Sequence, residues 1–546
     1  MGESSRTNLL TGRFTKAFTR KDIPVFPGIA AVFGPGLIWA GLSQGSGELI
    51  WWPYMVAKYG AIFVGWLFIF AFLQYWYNQE IARYTIATGE GIISGLFRVN
   101  MIVGWIVLAV IILVYSWVGG YAGASASALY GILGWPPIWA ENAQRFWAII
   151  IMVVSFLLIV LGPVAYRIVE VLEALAALAS FFGMLIVALA SPDVALHAGE
   201  FFAGFGMFEW PPFPGWEAKD LDIWITLIAY TGAGGIWNLG YSYWVRDKGF
   251  CQAKHIGRVT SPLTGKPEAI PSVGVDFTLE DDKAREEWRK WTYWLWTDNL
   301  FGVMLNALTI VLTSLLTFSI LRPKGIEIPR GWGLVIEQGR WFEAVFGEPG
   351  RIAMLILGFF FLFDVFIVAG DLYSRFVADT SYVVLRGSVS DVGRTWAALF
   401  IGLGILVVGG PILADMLQGN PLLIEPIIVI VVYLLAITGI IANASIKEWP
   451  YVKTYYAVWT VFVIMGIVQV FLKSPGGLIL LTGITNMFIM AFASTFLLAL
   501  SWFILPRMHS AGESIRPNWI HFVIFLVITI VFWAITGWFI LRKVGY

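Results

Sequence analysis

Hydrophobic residues occur along the chain in long unbroken runs rather than in short alternations with polar residues. Runs such as 62–75, 101–117, 146–161 and 519–541 approach or reach the roughly 20 residues that a helix needs to cross the hydrocarbon core of a bilayer. Counting such runs predicts about 12 or 13 membrane-spanning helices. The pattern therefore predicts an all-α integral membrane protein.

Two of the predicted spans are interrupted by glycine. The first span, from about Phe26 to Lys58, contains Ser43-Gln44-Gly45-Ser46-Gly47-Glu48, and the sixth, Ile223 to Val245, contains Thr231-Gly232-Ala233-Gly234-Gly235. Each glycine disfavours a helix by about 1 kcal/mol, so both spans are expected to unwind at these stretches. Unwound backbone at membrane depth is tolerated where it lines a cavity. Two interruptions five helices apart are typical of inverted-repeat transporters, whose site lies near the bilayer midplane.

Composition supports a membrane protein that is not an enzyme. Of the 546 residues, 59% are hydrophobic and 13% are charged, which leaves too little polar surface to cover a soluble globule. The single cysteine, Cys251, excludes an intramolecular disulfide and a cysteine-based metal cluster. The metallopeptidase pattern HExxH and the phosphate-binding pattern GxxxxGK[ST] are both absent. We therefore expect no catalytic activity and no cofactor.

Charge is distributed unevenly although the formal net charge is zero. Residues 1–25 are rich in lysine and arginine, which predicts a cytoplasmic amino-terminal segment. Residues 26–546 are interpreted as one multi-pass domain, with a cytoplasmic loop of mixed charge at 247–293 and an additional helix pair at 395–443. The expected location is the cell membrane, and the expected partners are the lipid bilayer and a small ion or solute, with no nucleic acid.

Several motifs resemble the opening of the Nramp divalent-metal transporters. They are Gly34-Pro35-Gly36, the interrupted first span, Gln79-Glu80-Ile81-Ala82-Arg83 and Thr88-Gly89, in that order. The sixth span resembles the sixth helix of the family, and 478–541 is similar to its last two helices. The resemblance implies a LeuT-type inverted repeat of five plus five helices, with broken first and sixth helices and additional helices in the carboxy-terminal half. It also implies secondary-active transport by alternating access, with 395–443 as an insertion.

The metal-binding motifs of that family are replaced in this chain. Gly45-Ser46-Gly47-Glu48 stands where Nramp proteins have Asp-Pro-Gly-Asn, and Ile236-Trp237-Asn238 stands where they have Met-Pro-His. Thioether and imidazole ligands favour transition metals, so their loss argues against manganese or iron as the substrate. The remaining oxygen donors suit a hard, hydrated cation such as Mg²⁺. The smaller side chains also enlarge the cavity, which would suit an organic solute or organic cation. A membrane sensor or scaffold that does not transport is the third hypothesis.

Candidate site residues follow from the two interruptions. Glu48 is the main candidate, because a carboxylate near the bilayer centre costs roughly 2.5 to 3.5 kcal/mol and is usually retained for function. A structural ion pair of Glu48, or a helix-to-helix hydrogen bond of Asn238, is the alternative. Glu48 and Asn238 are the candidate metal ligands. The predicted substrate-binding residues are Gly45, Ser46, Gly47, Glu48, Thr231, Gly232, Ala233, Trp237 and Asn238.

Charged residues also recur on one face of the eighth span. Asp364, Asp371, Arg375 and Asp379 follow one another at intervals of seven, four and four residues, which places them along the same side of a helix. Such a row inside a membrane predicts a proton or ion path. A salt-bridge ladder that seals the bundle is the alternative.

Overall fold

The computed structural model describes residues 14–115, 117–162, 165–261, 265–266, 268–384 and 451–544. The helix pair predicted at 395–443 lies outside the described residues. Helices of eight residues or more are numbered here in chain order. They are α1 Pro35–Ser43, α2 Trp52–Tyr59, α3 Trp66–Thr88, α4 Ile92–Val99, α5 Met101–Tyr115, α6 Gly119–Leu133, α7 Ala140–Leu161, α8 Ala165–Ala190, α9 Pro192–Ala203, α10 Leu221–Ala229, α11 Ile236–Lys248, α12 Asp282–Leu316, α13 Gly339–Asp379, α14 Tyr451–Leu472, α15 Pro475–Ala499 and α16 Trp519–Lys543.

Eight stretches of the described residues are helical, long and apolar enough to cross a membrane. They are Met101–Leu133, Ala140–Leu161, Val169–Ala190, Asp282–Lys324, Gly339–Val384, Tyr451–Leu472, Pro475–Met508 and Trp519–Lys543. The two interrupted spans and the more polar α3 are further predicted crossings. The predicted total of 12 or 13 includes the pair at 395–443 and stays a prediction.

Helices at matching places in the two predicted halves of the repeat pack against each other. Helix α3 contacts α12, α6 contacts α13, and α7 contacts α14. Such pairing is expected when a pseudo-two-fold axis runs through the middle of the bundle. Helix α13 bends at Gly347, whose φ of 63° is non-helical, just before Pro349. The apolar portion that follows this bend reaches the first interruption.

Both predicted interruptions are present. The first span stops at Ser43, turns at Gln44 and Gly45, and resumes through a π-helical turn, Gly47–Trp51, before α2. The sixth span leaves helical geometry from Tyr230 and resumes at Ile236. Gly234 and Gly235 have φ values of 82° and 43° there, a conformation that strongly favours glycine.

The amino-terminal segment lies on the same side of the bundle as the connection between α11 and α12. Strand β1, Thr19–Arg20, pairs in parallel with strand β2, Val275–Asp276, which belongs to that connection. The backbone N–H of Phe26 also donates to Glu287 at 2.6 Å. The two segments therefore share one face of the membrane domain, and their assignment to the cytoplasm stays a prediction.

Candidate functional site

The two interruptions meet inside the bundle. A Cβ atom added to Gly47 would lie 2.2 Å from the carbonyl oxygen of Tyr230, so the two backbones touch where both helices are broken. A Cβ atom on Gly45 would lie 2.7 Å from a methyl group of Val365 on α13. The predicted residues Gly45, Ser46, Gly47, Glu48, Thr231, Gly232, Ala233, Trp237 and Asn238 are all buried around these contacts. Whether they bind substrate stays a prediction.

Glu48 is the buried carboxylate of the first interruption, and no charged side chain among the described residues compensates it. The residue is 1% solvent-exposed, and neither carboxylate oxygen has a hydrogen-bond partner among the described residues. Asn306 of α12 is its polar neighbour. The Asn306 Nδ2 donates to the carbonyl of Thr231 at 3.2 Å, while its Oδ1 is left without a partner in the described part of the chain. Asn306 thus joins the two interruptions beside Glu48.

Asn238 is anchored in a chain of amide side chains. Its Nδ2 donates to Asn78 at 2.7 Å and to Gln74 at 3.3 Å. Gln74 in turn accepts from the backbone N–H of Gly234 at 3.2 Å and donates to the carbonyl of Ala229 at 2.8 Å, which satisfies the unwound backbone. This is the helix-to-helix hydrogen bond that the sequence left as the alternative for Asn238. The Asn238 Oδ1 has no partner among the described residues, so its role as a ligand stays a prediction.

Aromatic side chains form a wall at the second interruption. The Trp237 ring meets Tyr115 and Tyr121 edge-on, with centroids 5.5 and 6.2 Å apart. The Tyr230 hydroxyl lies 3.0 Å from that of Tyr121 and 2.7 Å from that of Thr482. The wall therefore couples the unwound stretch to α6 and α15, and it brings aromatic rings and hydroxyl groups next to the interruption.

The charged row on α13 divides into two parts. Arg375 bonds Asp371 at 2.8 Å and Asp247 of α11 at 2.7 Å, all three side chains being fully buried. Tyr455 donates to the other oxygen of Asp371 at 2.5 Å. Asp371 and Arg375 therefore take part in a buried salt-bridge network, and whether this row of charges carries protons or ions stays a prediction. Asp364 is 2% exposed, and both of its oxygens are unpartnered within the described ranges.

Replacing Arg375 by methionine is expected to destabilise the protein strongly. The change would leave Asp371 as a buried carboxylate without a counter-charge and would leave Asp247 with only Arg246, at 3.6 Å; breaking a buried pair costs about 3–5 kcal/mol. Thermal unfolding of the detergent-solubilised protein measures the effect. Arg375→Lys, which keeps the charge, should lose less. An unfolding midpoint equal to that of wild type in Arg375→Met would show that the network contributes no stability.

Polar contacts hold both ends of the interrupted first span. At the start of α1, Asp298 accepts from the backbone N–H of Gly36 at 2.7 Å and from the hydroxyl of Tyr241 at 3.0 Å. At the end of α2, Asp220 accepts from Lys58 at 2.7 Å and from Tyr59 at 2.6 Å. Buried carboxylates therefore tie both ends of the interrupted first span to other parts of the bundle.

A literal match to the hydrolase pattern GxSxG occurs at Gly41-Leu42-Ser43-Gln44-Gly45. In hydrolases this pattern forms a sharp turn from a strand to a helix, which exposes the serine. Here Ser43 is the last residue of α1, and its hydroxyl donates to the carbonyl of Trp39 at 2.7 Å. The match therefore lacks the geometry of a nucleophile.

Comparison with known proteins identifies the fold. No family model matches the sequence, and no curated protein matches it. Two crystal structures of the manganese transporter of Eremococcus coleocola do match, one with a histidine and one with a glutamate replaced by alanine. Their TM-scores are both 0.53, at 11% and 12% identity, and each match covers 97% of this chain and 92% of that protein. The chain shares the fold of this transporter.

That match confirms the predicted all-α membrane architecture of the LeuT type and the resemblance to Nramp transporters at the level of the fold. The protein is thus a multi-pass membrane protein. Sequence identity this low carries no information about the substrate. Among the described residues, no three His, Cys, Asp or Glu side chains converge closely enough to hold a metal ion together.

Proposed function

We propose that the protein is a secondary-active transporter that carries a small cation by alternating access, with Glu48 in the substrate site. The uncompensated carboxylate of Glu48 at the first interruption carries this proposal. A bare anion at membrane depth is costly, and a bound cation would remove most of that cost. The fold shared with a manganese transporter supports the transport of an ion through such a site.

A hard, hydrated cation such as Mg²⁺ is the substrate class that we propose. Glu48 supplies one carboxylate, and the side-chain oxygens of Asn306 and Asn238 have no protein partner among the described residues. Mg²⁺ prefers oxygen ligands and usually keeps several of its waters while one or two carboxylates bind it. One acidic group with the neutral amide of Asn306 beside it suits this mode of binding better than full coordination of a transition metal.

A small organic cation is the second candidate, and the aromatic wall around Trp237 supports it. Rings of tryptophan and tyrosine attract cations through their faces, and a carboxylate such as Glu48 would complete the site. A sensor or scaffold with the same fold would bind either ligand without moving it.

The proposal also places the amino terminus in the cytoplasm, because residues 1–25 are basic.

Calorimetry on the purified protein tests the substrate class. Mg²⁺, Mn²⁺ and tetramethylammonium are titrated into wild type, Glu48→Gln and the exposed control Glu200→Gln. We expect Mg²⁺ to bind to wild type and to the control. The dissociation constant for Mn²⁺ should lie above the low-micromolar range, because the soft ligands are missing. Low-micromolar affinity for Mn²⁺ that is lost in Glu48→Gln would contradict the proposal. Binding of tetramethylammonium but not of Mg²⁺ would favour an organic cation as the substrate.

A further inference from the structure

His509 is a buried histidine in the connection between α15 and α16, just after the span Pro475–Met508. It is 4% solvent-exposed. The backbone N–H of Ala511 donates to its Nδ1 at 3.1 Å, and its Nε2 lies 3.1 Å from the carbonyl oxygen of Ala87 near the end of α3. An N–H group can only donate and a carbonyl can only accept. Both contacts are therefore satisfied by the neutral ring with its proton on Nε2.

Two aromatic rings cover the imidazole and connect it to the amino-terminal segment. The Phe277 ring, next to β2, meets it edge-on with centroids 4.7 Å apart, and the Phe18 ring, next to β1, lies at 6.0 Å. A charged imidazolium at this place would lose most of its hydration, which favours the neutral form. Burial accordingly holds the pKa of His509 below its ordinary value.

Charged groups on the neighbouring elements act on His509 in opposite directions. Asp276 of β2 favours the protonated ring, whereas Arg20 of β1 opposes it. Helix α3 contributes an uncharged carbonyl. The connection itself carries Arg507, which is exposed, and Glu513 and Arg516, which pair with each other at 2.6 Å. The balance leaves the effect of burial dominant.

The residue after the histidine ties it to the strand pair. Ser510 donates to the carboxylate of Asp276 through its backbone N–H, at 3.0 Å, and through its hydroxyl. The carbonyl of Asp276 in turn accepts from the backbone N–H of Lys21 at 2.8 Å, beside β1. A proton on Nδ1 would set two N–H groups against each other at Ala511, so the backbone at 509–511 would have to shift. That shift would disturb the anchor of β2, and a pair of two-residue strands opens easily.

We propose that His509 is a pH-sensitive latch for the amino-terminal segment: the neutral ring keeps β1 paired with β2, and the protonated ring releases β1. Because the neutral form is the one that the docked state favours, docking is complete above about pH 6.5 and is lost as the pH falls below it. The released segment leads directly into the first span. The latch goes beyond the proposed function, because it requires neither a substrate nor the charge of Glu48.

Hydrogen exchange of the full-length protein in detergent, read by mass spectrometry, tests the latch. The backbone amides of Thr19 and Lys21 report on β1, since they donate to the carbonyls of Gly274 and Asp276. After correction for the intrinsic pH dependence of exchange, their rates should rise by at least about threefold between about pH 7.5 and about pH 5.5 in wild type. Amides within α14, which are remote from the histidine in the chain, should not change.

Substitution of the histidine separates this latch from other acid effects. His509→Gln can still donate and accept without titrating, so the exchange of β1 should lose its dependence on pH; His509→Asn, which keeps an acceptor, serves if the glutamine variant does not fold. His197→Gln on α9, where the ring bonds the carbonyl of Asp193, is the matched control and should respond as wild type does. Exchange of β1 that does not change with pH in wild type overturns the proposal. An equal response in wild type and in the folded His509 variant overturns it as well.

Discussion

Glu48→Gln is expected to lower substrate binding or transport by at least about tenfold, which corresponds to about 1.4 kcal/mol if the effect is on binding. The substitution preserves the size of the side chain and removes its charge. Because no other charged group compensates Glu48 among the described residues, the bound cation would lose its ionic partner. Binding is measured by calorimetry, and transport by uptake of Mg²⁺ into proteoliposomes.

Glu48→Asp provides the matched control for this effect. It retains a carboxylate on a shorter side chain, so part of the function should remain if a metal ion is the ligand. Asn306→Ala tests the neighbouring amide and should weaken binding less than Glu48→Gln, since it removes no charge. Wild-type transport by Glu48→Gln at every pH tested would place the ionic site elsewhere, and Asp364 would then be the better candidate.

Gly47→Leu and Gly235→Leu are each expected to abolish uptake while the protein still inserts into the membrane. At Gly47 the added side chain would meet the carbonyl of Tyr230, which lies 2.2 Å from the position of a Cβ atom. At Gly235 the backbone has a φ of 43°, and a Cβ atom would lie 2.3 Å from a methyl group of Ile489. Uptake is measured together with the elution profile in size-exclusion chromatography, which reports folding.

Gly537→Leu is the matched control for these glycine substitutions. Gly537 lies within α16 and has no atom within 4 Å of an added Cβ, so a side chain has room there. This variant should transport as wild type does. Wild-type uptake by both Gly47→Leu and Gly235→Leu would show that the close contact between the two interruptions is not needed for transport.

The interruptions were predictable because glycine acts locally. Glycines clustered inside an apolar run disfavour the helix at that place, whatever packs around them. Gly234 and Gly235 show this directly, since both adopt a positive φ that other residues rarely take. The meeting of Gly47 with Tyr230 followed from the expected repeat and from no local signal. The spacing of the two breaks, five helices apart as in inverted-repeat transporters, was what placed them together, and the resemblance to Nramp transporters agreed with it.

Side-chain partners across the bundle were not predictable from the sequence alone. The spacing of Asp364, Asp371 and Arg375 gives one helical face, but only the packing of α13 against α11 brings Asp247 to Arg375. Asp364 looks the same in the sequence as Asp371, although it is left unpartnered. Asn306 likewise gave no strong signal, because one asparagine in a long span does not indicate which neighbour it faces.

Uptake of Mg²⁺ into proteoliposomes tests the central claim most directly. Purified wild type and Glu48→Gln are reconstituted in parallel, and entry of the ion is followed with an entrapped Mg²⁺-sensitive dye, with and without an imposed pH or Na⁺ gradient. The account predicts uptake by wild type that exceeds that of protein-free liposomes, increases with one of the gradients, and falls by at least about tenfold in Glu48→Gln. Equal uptake by wild type and Glu48→Gln, or no uptake by wild type under any gradient, would contradict it.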